Sequence, residues 1–147
     1  MHLEGAVEIA APRQRVWDFL TDPHAVSTCA PGLESVEVVE PERRFRAVAS
    51  LGLGSIKTRF TVDIDWVEKE PPAKAIARAH GTASGSTADV TAEMRLTEVS
   101  PSVTALNWTA EVTITGTIAS LASRMMGSVA QKISGQFFDC VRSKVEA

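Results

Sequence analysis

The chain has 147 residues, 44% of them hydrophobic and 22% charged, with 15 Lys plus Arg against 18 Asp plus Glu. That length supports one domain, 1–147, with a real core, and the composition excludes a disordered tail, a collagen-like repeat and a coiled-coil rod. A formal net charge of -3 offers no positive footprint for nucleic acid or for anionic lipid, so no nucleic-acid partner is expected.

Residues 3–9 alternate, with Leu3, Gly5, Val7 and Ile9 on one face and Glu4, Ala6 and Glu8 on the other, which predicts a half-buried strand. Ala11-Pro12 opens a helix with Val16, Trp17 and Leu20 as its apolar face. Asp22-Pro23 stops it and starts a second short helix through Ser27 to Cys29, closed by Pro31-Gly32. The period then becomes two, which predicts strands over 33–39, 45–51, 56–67, 75–81, 87–99 and 103–115. The breaks carry turn chemistry: Pro41-Glu42, Gly52-Leu53-Gly54, Pro71-Pro72, Ser84-Gly85-Ser86 and Ser100-Pro101-Ser102. Breaks this short join antiparallel neighbours. After Gly116 the period becomes 3.6. Ile118, Leu121, Ala122, Met125, Met126, Val129 and Ile133 share one face of a long helix, extended by Phe137 and Cys140. Arg124, Gln131 and Arg142 fall opposite, and Phe138 lies near that polar side, where packing under a loop or the first strand explains it. The expected fold is α+β, a seven-stranded curved antiparallel sheet wrapped around a long C-terminal helix, with two short helices after the first strand.

Alternation assigns the inward face. It carries Phe45, Ala47, Ala49 and Leu51, then Ile56, Thr58, Phe60, Val62, Ile64 and Trp66, then Ala75, Ala77, Ala79 and Gly81. Val90, Ala92, Met94 and Leu96 follow, then Leu106, Trp108, Ala110, Val112 and Ile114. The alanines are small where a core would carry Leu, Ile or Phe. Either the helix lies very close to the sheet there, or the space takes a guest. The aromatic rings and the adaptable Met125 and Met126 favour a pocket for an irregular apolar molecule.

Within the assigned strands no carboxylate, histidine or lysine falls on the inward face, so general acid–base chemistry lacks a group. His80 and Arg78 read as solvated, although a bulge would swing them inward. Gly52-Leu53-Gly54 lacks the third glycine and the helix of a dinucleotide fingerprint. Cys29 and Cys140 sit in segments that need not meet and read as two buried free thiols in a reducing compartment. Neither has His or Cys neighbours at ligand spacing, so no metal is expected. No signal peptide and no apolar run near ~20 residues is present, which predicts a cytoplasmic protein without an integral membrane segment and with at most peripheral membrane contact.

These blocks resemble the carbon monoxide dehydrogenase CoxG family within the helix-grip, START-like SRPBCC superfamily. The resemblance rests on Gly5-Ala6-Val7-Glu8-Ile9 with 11–23, on Cys29-Ala30-Pro31-Gly32-Leu33-Glu34-Ser35, and on the Gly52-Leu53-Gly54 turn with Lys57. Pro71-Pro72, Gly116, Leu121-Ala122-Ser123-Arg124 and Gln136-Phe137-Phe138 complete it. It implies a non-catalytic carrier of a hydrophobic ligand, a lipid or an isoprenoid quinone such as menaquinone, working with a carbon monoxide dehydrogenase-type molybdenum hydroxylase. No cofactor is implied beyond such a bound quinone or lipid. Several family members have a long C-terminal extension. This chain stops at Val145-Glu146-Ala147, so carriage by the domain is expected rather than anchoring. The ligand-binding residues expected on this reading are Trp17, Phe45, Ala47, Ala49, Thr58, Phe60, Val62, Trp66, Ala77, Ala79, Ala92, Met94, Trp108, Ala110, Leu121, Met125, Met126 and Val129. The mouth is expected between the helix and the segment around Ser27–Leu33. Two other functions use the same fold: an enzyme of the polyketide cyclase or aromatase kind, and an assembly or recruitment module for an oxidoreductase.

Overall fold

The computed structural model describes residues 1–53 and 55–146, so Gly54 of the expected turn and Ala147 lie outside the described residues. The elements run β1 (His2–Ile9), α1 (Arg13–Thr21), α2 (Pro23–Ser27), β2 (Leu33–Glu40), β3 (Arg44–Leu53), β4 (Ile56–Glu70), β5 (Lys74–Ala83), β6 (Ser86–Ser100), β7 (Val103–Gly116) and α3 (Ala119–Val145). The seven strands form one antiparallel sheet in the order β1-β7-β6-β5-β4-β3-β2. Strands β1 and β2 are therefore its two edges, and α1 with α2 carries the chain from one edge to the other.

The short helices have local causes. Pro12 is the N-cap of α1 rather than its first turn. The Asp22 carboxylate accepts from the backbone N–H of His24 at 3.0 Å and of Ala25 at 3.4 Å, with Pro23 at the first helical position. Helix α2 ends at Ser27 and not at Cys29. Gly32 then turns with φ +79, where a Cβ would collide with the carbonyl of Ser50. No other residue type fits there.

The two-residue parity holds through the sheet, apart from bulges. Pairing at β4–β5 shifts between Trp66 and Glu68. Val67 is the extra residue and is 50% exposed. The shift brings Lys69 opposite Ala75, into the concave row. The strand predicted over 56–67 stops short of Lys69, so the expected inward face lacked a cation that the bulge supplies.

At one end of the concave face Ile9, Val16, Trp17, Leu20, Leu96, Leu106, Val141 and Val145 form a closed core. Polar groups tie its rim. The Thr104 hydroxyl donates to the Ala11 carbonyl at 2.8 Å, and the Arg15 guanidinium donates to the Val145 carbonyl at 3.1 Å. Arg142 donates to the Glu8 carbonyl at 2.9 and 3.1 Å, so it is a half-buried clamp and not part of a solvated face.

The stripe on α3 continues through Val141 and Val145, both buried, beyond the Phe137 and Cys140 that its sequence suggested. This docking brings Cys140 to Cys29. The two form a disulfide with Cα atoms 5.4 Å apart, across a sequence separation of 111. The expectation of two free thiols is therefore wrong. Sequence distance concealed that α3 ends against the connection between α2 and β2.

Candidate functional site: an apolar hollow under the long helix

Four rows of side chains cross the concave face in register. Ala47, Val62, Gly81, Ala88 and Ile114 form the first, and Phe45, Ile64, Ala79, Val90 and Val112 the second. The third runs Trp66, Ala77, Ala92, Ala110 and Leu3, and the fourth Ala75, Met94, Trp108 and Gly5. Gly5 has a steric reason. A Cβ there would meet the Trp108 indole at 2.7 Å, so the glycine gives the ring its place.

Helix α3 approaches β3 on one side and β1 and β7 on the other, and stands further from β4, β5 and β6. Small residues occupy those middle strands. Ala77, Ala79 and Ala92 face the concave side yet are only half-buried. The helix thus leaves a hollow there and does not settle on the alanines.

Three cavities occupy the hollow. One of about 240 Å³ is lined by Leu20, Val26, Leu33, Val36, Phe45, Ala47, Ile64, Trp66 and Ala77 among others. A second, about 210 Å³, adds Ala75, Ala92, Met94, Trp108, Phe137 and Phe138. The two share Leu20, Val26, Trp66 and Ala77 as common wall. A third, about 260 Å³, lies toward the other end, against Pro31, Ala49, Phe60, Val62, Ala79, Gly81 and Met126. Ligand sites for drug-sized molecules run to roughly 300–1,000 Å³. The first two cavities reach that range only as one space.

Of the residues expected to bind ligand, Phe45, Ala47, Ala49, Phe60, Val62, Trp66, Ala77, Ala79, Ala92, Met94, Trp108 and Met126 line these cavities. Trp17 belongs to the closed core. Ala110 is buried within its row without lining a cavity. Leu121, Met125 and Val129 pack on the cluster of Phe60, Ile118, Ala122 and Met126. Thr58 pairs with Leu51 outside the three cavities. The sequence reading missed Leu20, Val26, Val36, Phe137 and Phe138. Phe138 packs on the closed core and meets Phe137 edge-on, ring centroids 5.0 Å apart. The segment expected to border the mouth supplies Ser27, Ala30 and Leu33 to the first cavity and Pro31 to the third.

Charge lies mostly outside. Arg44 reaches Asp65 at 2.7 Å, Arg46 reaches Asp63 at 2.9 Å, and His80 reaches Asp89 at 2.6 Å on the convex face. Arg78 and His80 are exposed, so no bulge has turned them inward. The one titratable residue bordering the three cavities, among the described residues, is Glu93. Its carboxylate accepts from Arg95 at 2.7 Å, and that bond chiefly holds it below the usual carboxylate range. Among the described residues, no three His, Cys, Asp or Glu converge to hold a metal. No described helix is long and apolar enough to cross a membrane.

A curved antiparallel sheet gripping a long C-terminal helix over an apolar hollow defines the START-like class of fold. Solved structures agree. A conserved protein from Geobacillus kaustophilus superposes with a TM-score of 0.91 at 23% identity, covering 99% of this chain and 95% of that one. The ZhuI aromatase/cyclase from Streptomyces sp. R1128 gives 0.77 at 20% identity, covering 99% and 93%. A START superfamily protein from Mycobacterium smegmatis gives 0.76 at 12%, covering 99% and 97%. These identities establish the fold. The family model of carbon monoxide dehydrogenase CoxG matches residues 5–146, and the chain belongs to that family. Among curated proteins none matches the chain.

Proposed function

We propose that the chain carries a long apolar molecule, a lipid or an isoprenoid quinone, in the hollow under α3, and that it does so without catalysing a reaction. The observation that supports this is the run of cavities along the alanine rows, where a close-packed core would have larger side chains. The tail supplies the binding free energy. Burying about eight carbons at ~0.8 kcal/mol each gives ~6 kcal/mol before ordering costs. The family name connects the carrier with a carbon monoxide dehydrogenase. Delivery of quinone to, or from, such a molybdenum hydroxylase is the role that follows.

Quenching of tryptophan fluorescence by quinones of graded tail length tests this reading, because Trp66 and Trp108 border the cavities. Affinity should rise with each isoprene unit and then level off. Equal, weak quenching by tailless and long-tailed quinones would refute it.

A cyclase is the second reading, since the ZhuI aromatase/cyclase shares the fold. It needs a proton donor or acceptor inside. Glu93, held ionised by Arg95, is poorly suited as a donor. No turnover of ester, polyketide or coenzyme A substrates is expected, and a reaction abolished by His80→Ala would overturn that.

A further inference from the structure

We infer that the Cys29–Cys140 disulfide is the latch of the hollow: oxidised, it holds the segment 22–31 over the guest, and reduced, it lets that segment swing and the guest exchange. This rests on the carrier reading above and adds the regulation of the same site.

The segment is a wall of the hollow. Pro23, Val26, Ser27 and Ala30 line the first cavity, Val26 also lines the second, and Pro31 lines the third. Yet the segment contributes little to the core. Helix α2 has no buried residue, and Val26 leans on the closed core only partly buried. From Thr21 to Arg44 the one buried residue is Cys29, 5% exposed. The backbone bonds of α2 are local, with the Val26 N–H donating to the Asp22 carbonyl at 2.9 Å and the Cys29 N–H to the Val26 carbonyl at 3.1 Å. Both flanks of the segment are fixed. Leu20 is buried, and the Gly32 carbonyl accepts from the Ser50 N–H at 2.8 Å. Between those flanks the disulfide is the covalent tie to α3. A stretch with so few buried contacts opens locally at small cost once such a tie is gone.

Helix α3 does not depend on the same bond. Val141 and Val145 are buried, Arg142 donates to the Glu8 carbonyl, and Arg15 donates to the Val145 carbonyl. Reduction therefore frees the cover and leaves the helix seated. The step is thiol–disulfide exchange with a dithiol reductant. One thiolate attacks a sulfur of the bridge to form a mixed disulfide, and the second displaces the protein sulfur. The protein gains two electrons and two protons as a pair of thiols, and the reductant leaves as a disulfide. Cys140 is only half-buried, so the bridge is open to attack from its side.

The test is stopped-flow mixing with a prenylated anthracene, a hydrocarbon that a dithiol does not reduce, read by energy transfer from Trp66 and Trp108. Association and dissociation are timed in the oxidised parent, in the parent treated with dithiothreitol, and in the Cys29→Ser, Cys140→Ser double variant with and without dithiothreitol. A prenylated quinone is timed in the oxidised parent and in the double variant. Reduction should speed both association and dissociation about tenfold and leave Kd within about threefold. The double variant should match the reduced parent and ignore the reductant. Equal rates in the oxidised and reduced parent would overturn the latch and leave hydrophobic carriage standing. Faster dissociation without faster association, or loss of the sheet signal in circular dichroism, would also overturn it, because the bridge would then hold the fold and not the cover. Failure of both probes to bind in either redox state would overturn the carrier reading, and the latch with it.

Discussion

The closed end and the middle of the concave face are built on the same sheet under the same helix, and they behave oppositely. At the closed end Ile9, Val16 and Val141 are fully buried, and Leu106 and Val145 nearly so. In the middle Ala77, Ala79 and Ala92 stay half-buried although the helix lies above them. The backbone register is continuous between the two regions. Side-chain volume therefore makes the difference: large β-branched residues draw α3 down, and alanines do not reach it.

The strongest way to break the comparison is to release the closed end. Cys140→Ser opens a covalent loop spanning 111 residues. A loop of that size constrains the unfolded chain by about 5 kcal/mol in the entropy model. Urea unfolding of the variant should show a loss of that order, and parent-like stability would mean that packing alone holds the end shut.

Substitutions of opposite sense sharpen it. Ile9→Ala should cost about 3 kcal/mol, because Ile9 is fully buried and its neighbours relax only partly. Ala77→Leu and Ala79→Leu should stay within ~1 kcal/mol of the parent, as the added atoms enter a cavity, while affinity for the prenylated quinone falls about tenfold. Calorimetric melting decides between the regions. A loss of ~1–3 kcal/mol in the alanine variants would mean that the middle is as tightly packed as the end.

The smallest effect concerns the β1 edge. His2 is raised above its ordinary 6.5, chiefly by its hydrogen bond to Glu111 and further by the charges of Glu111 and Glu4, against some desolvation. A raised folded value stabilises the folded chain below pH 6.5, and that contribution is lost as pH rises through the folded value. Glu111→Gln should bring His2 back toward 6.5 in an NMR titration.

Much of this was legible in one dimension. The alternation of small and aromatic residues assigned the inward rows correctly, apart from Ile56, which is exposed at the start of β4, because a sheet with one buried face tolerates no slip of register. The turn residues marked each hairpin. Three things were not legible. The bulge at Val67 has no glycine or proline to mark it, so Lys69 read as lying beyond the strand. The pairing of Cys29 with Cys140 depends on where α3 ends in space. Whether alanines meet a helix or a hollow depends on the height of that helix, which Val141 and Val145 help to set from the far end.

The disulfide also alters what counts as one molecule. Every hairpin tip from Pro41 to Ser102 lies inside the loop that Cys29 and Cys140 close. A protease that cuts at the exposed Glu42 or Gly85 produces two polypeptides and still one covalent body. The pieces stay joined at the end where α3 is anchored, with every strand still beside its partner. Such a nicked protein would run as a single species on a denaturing gel until a reductant separated its halves.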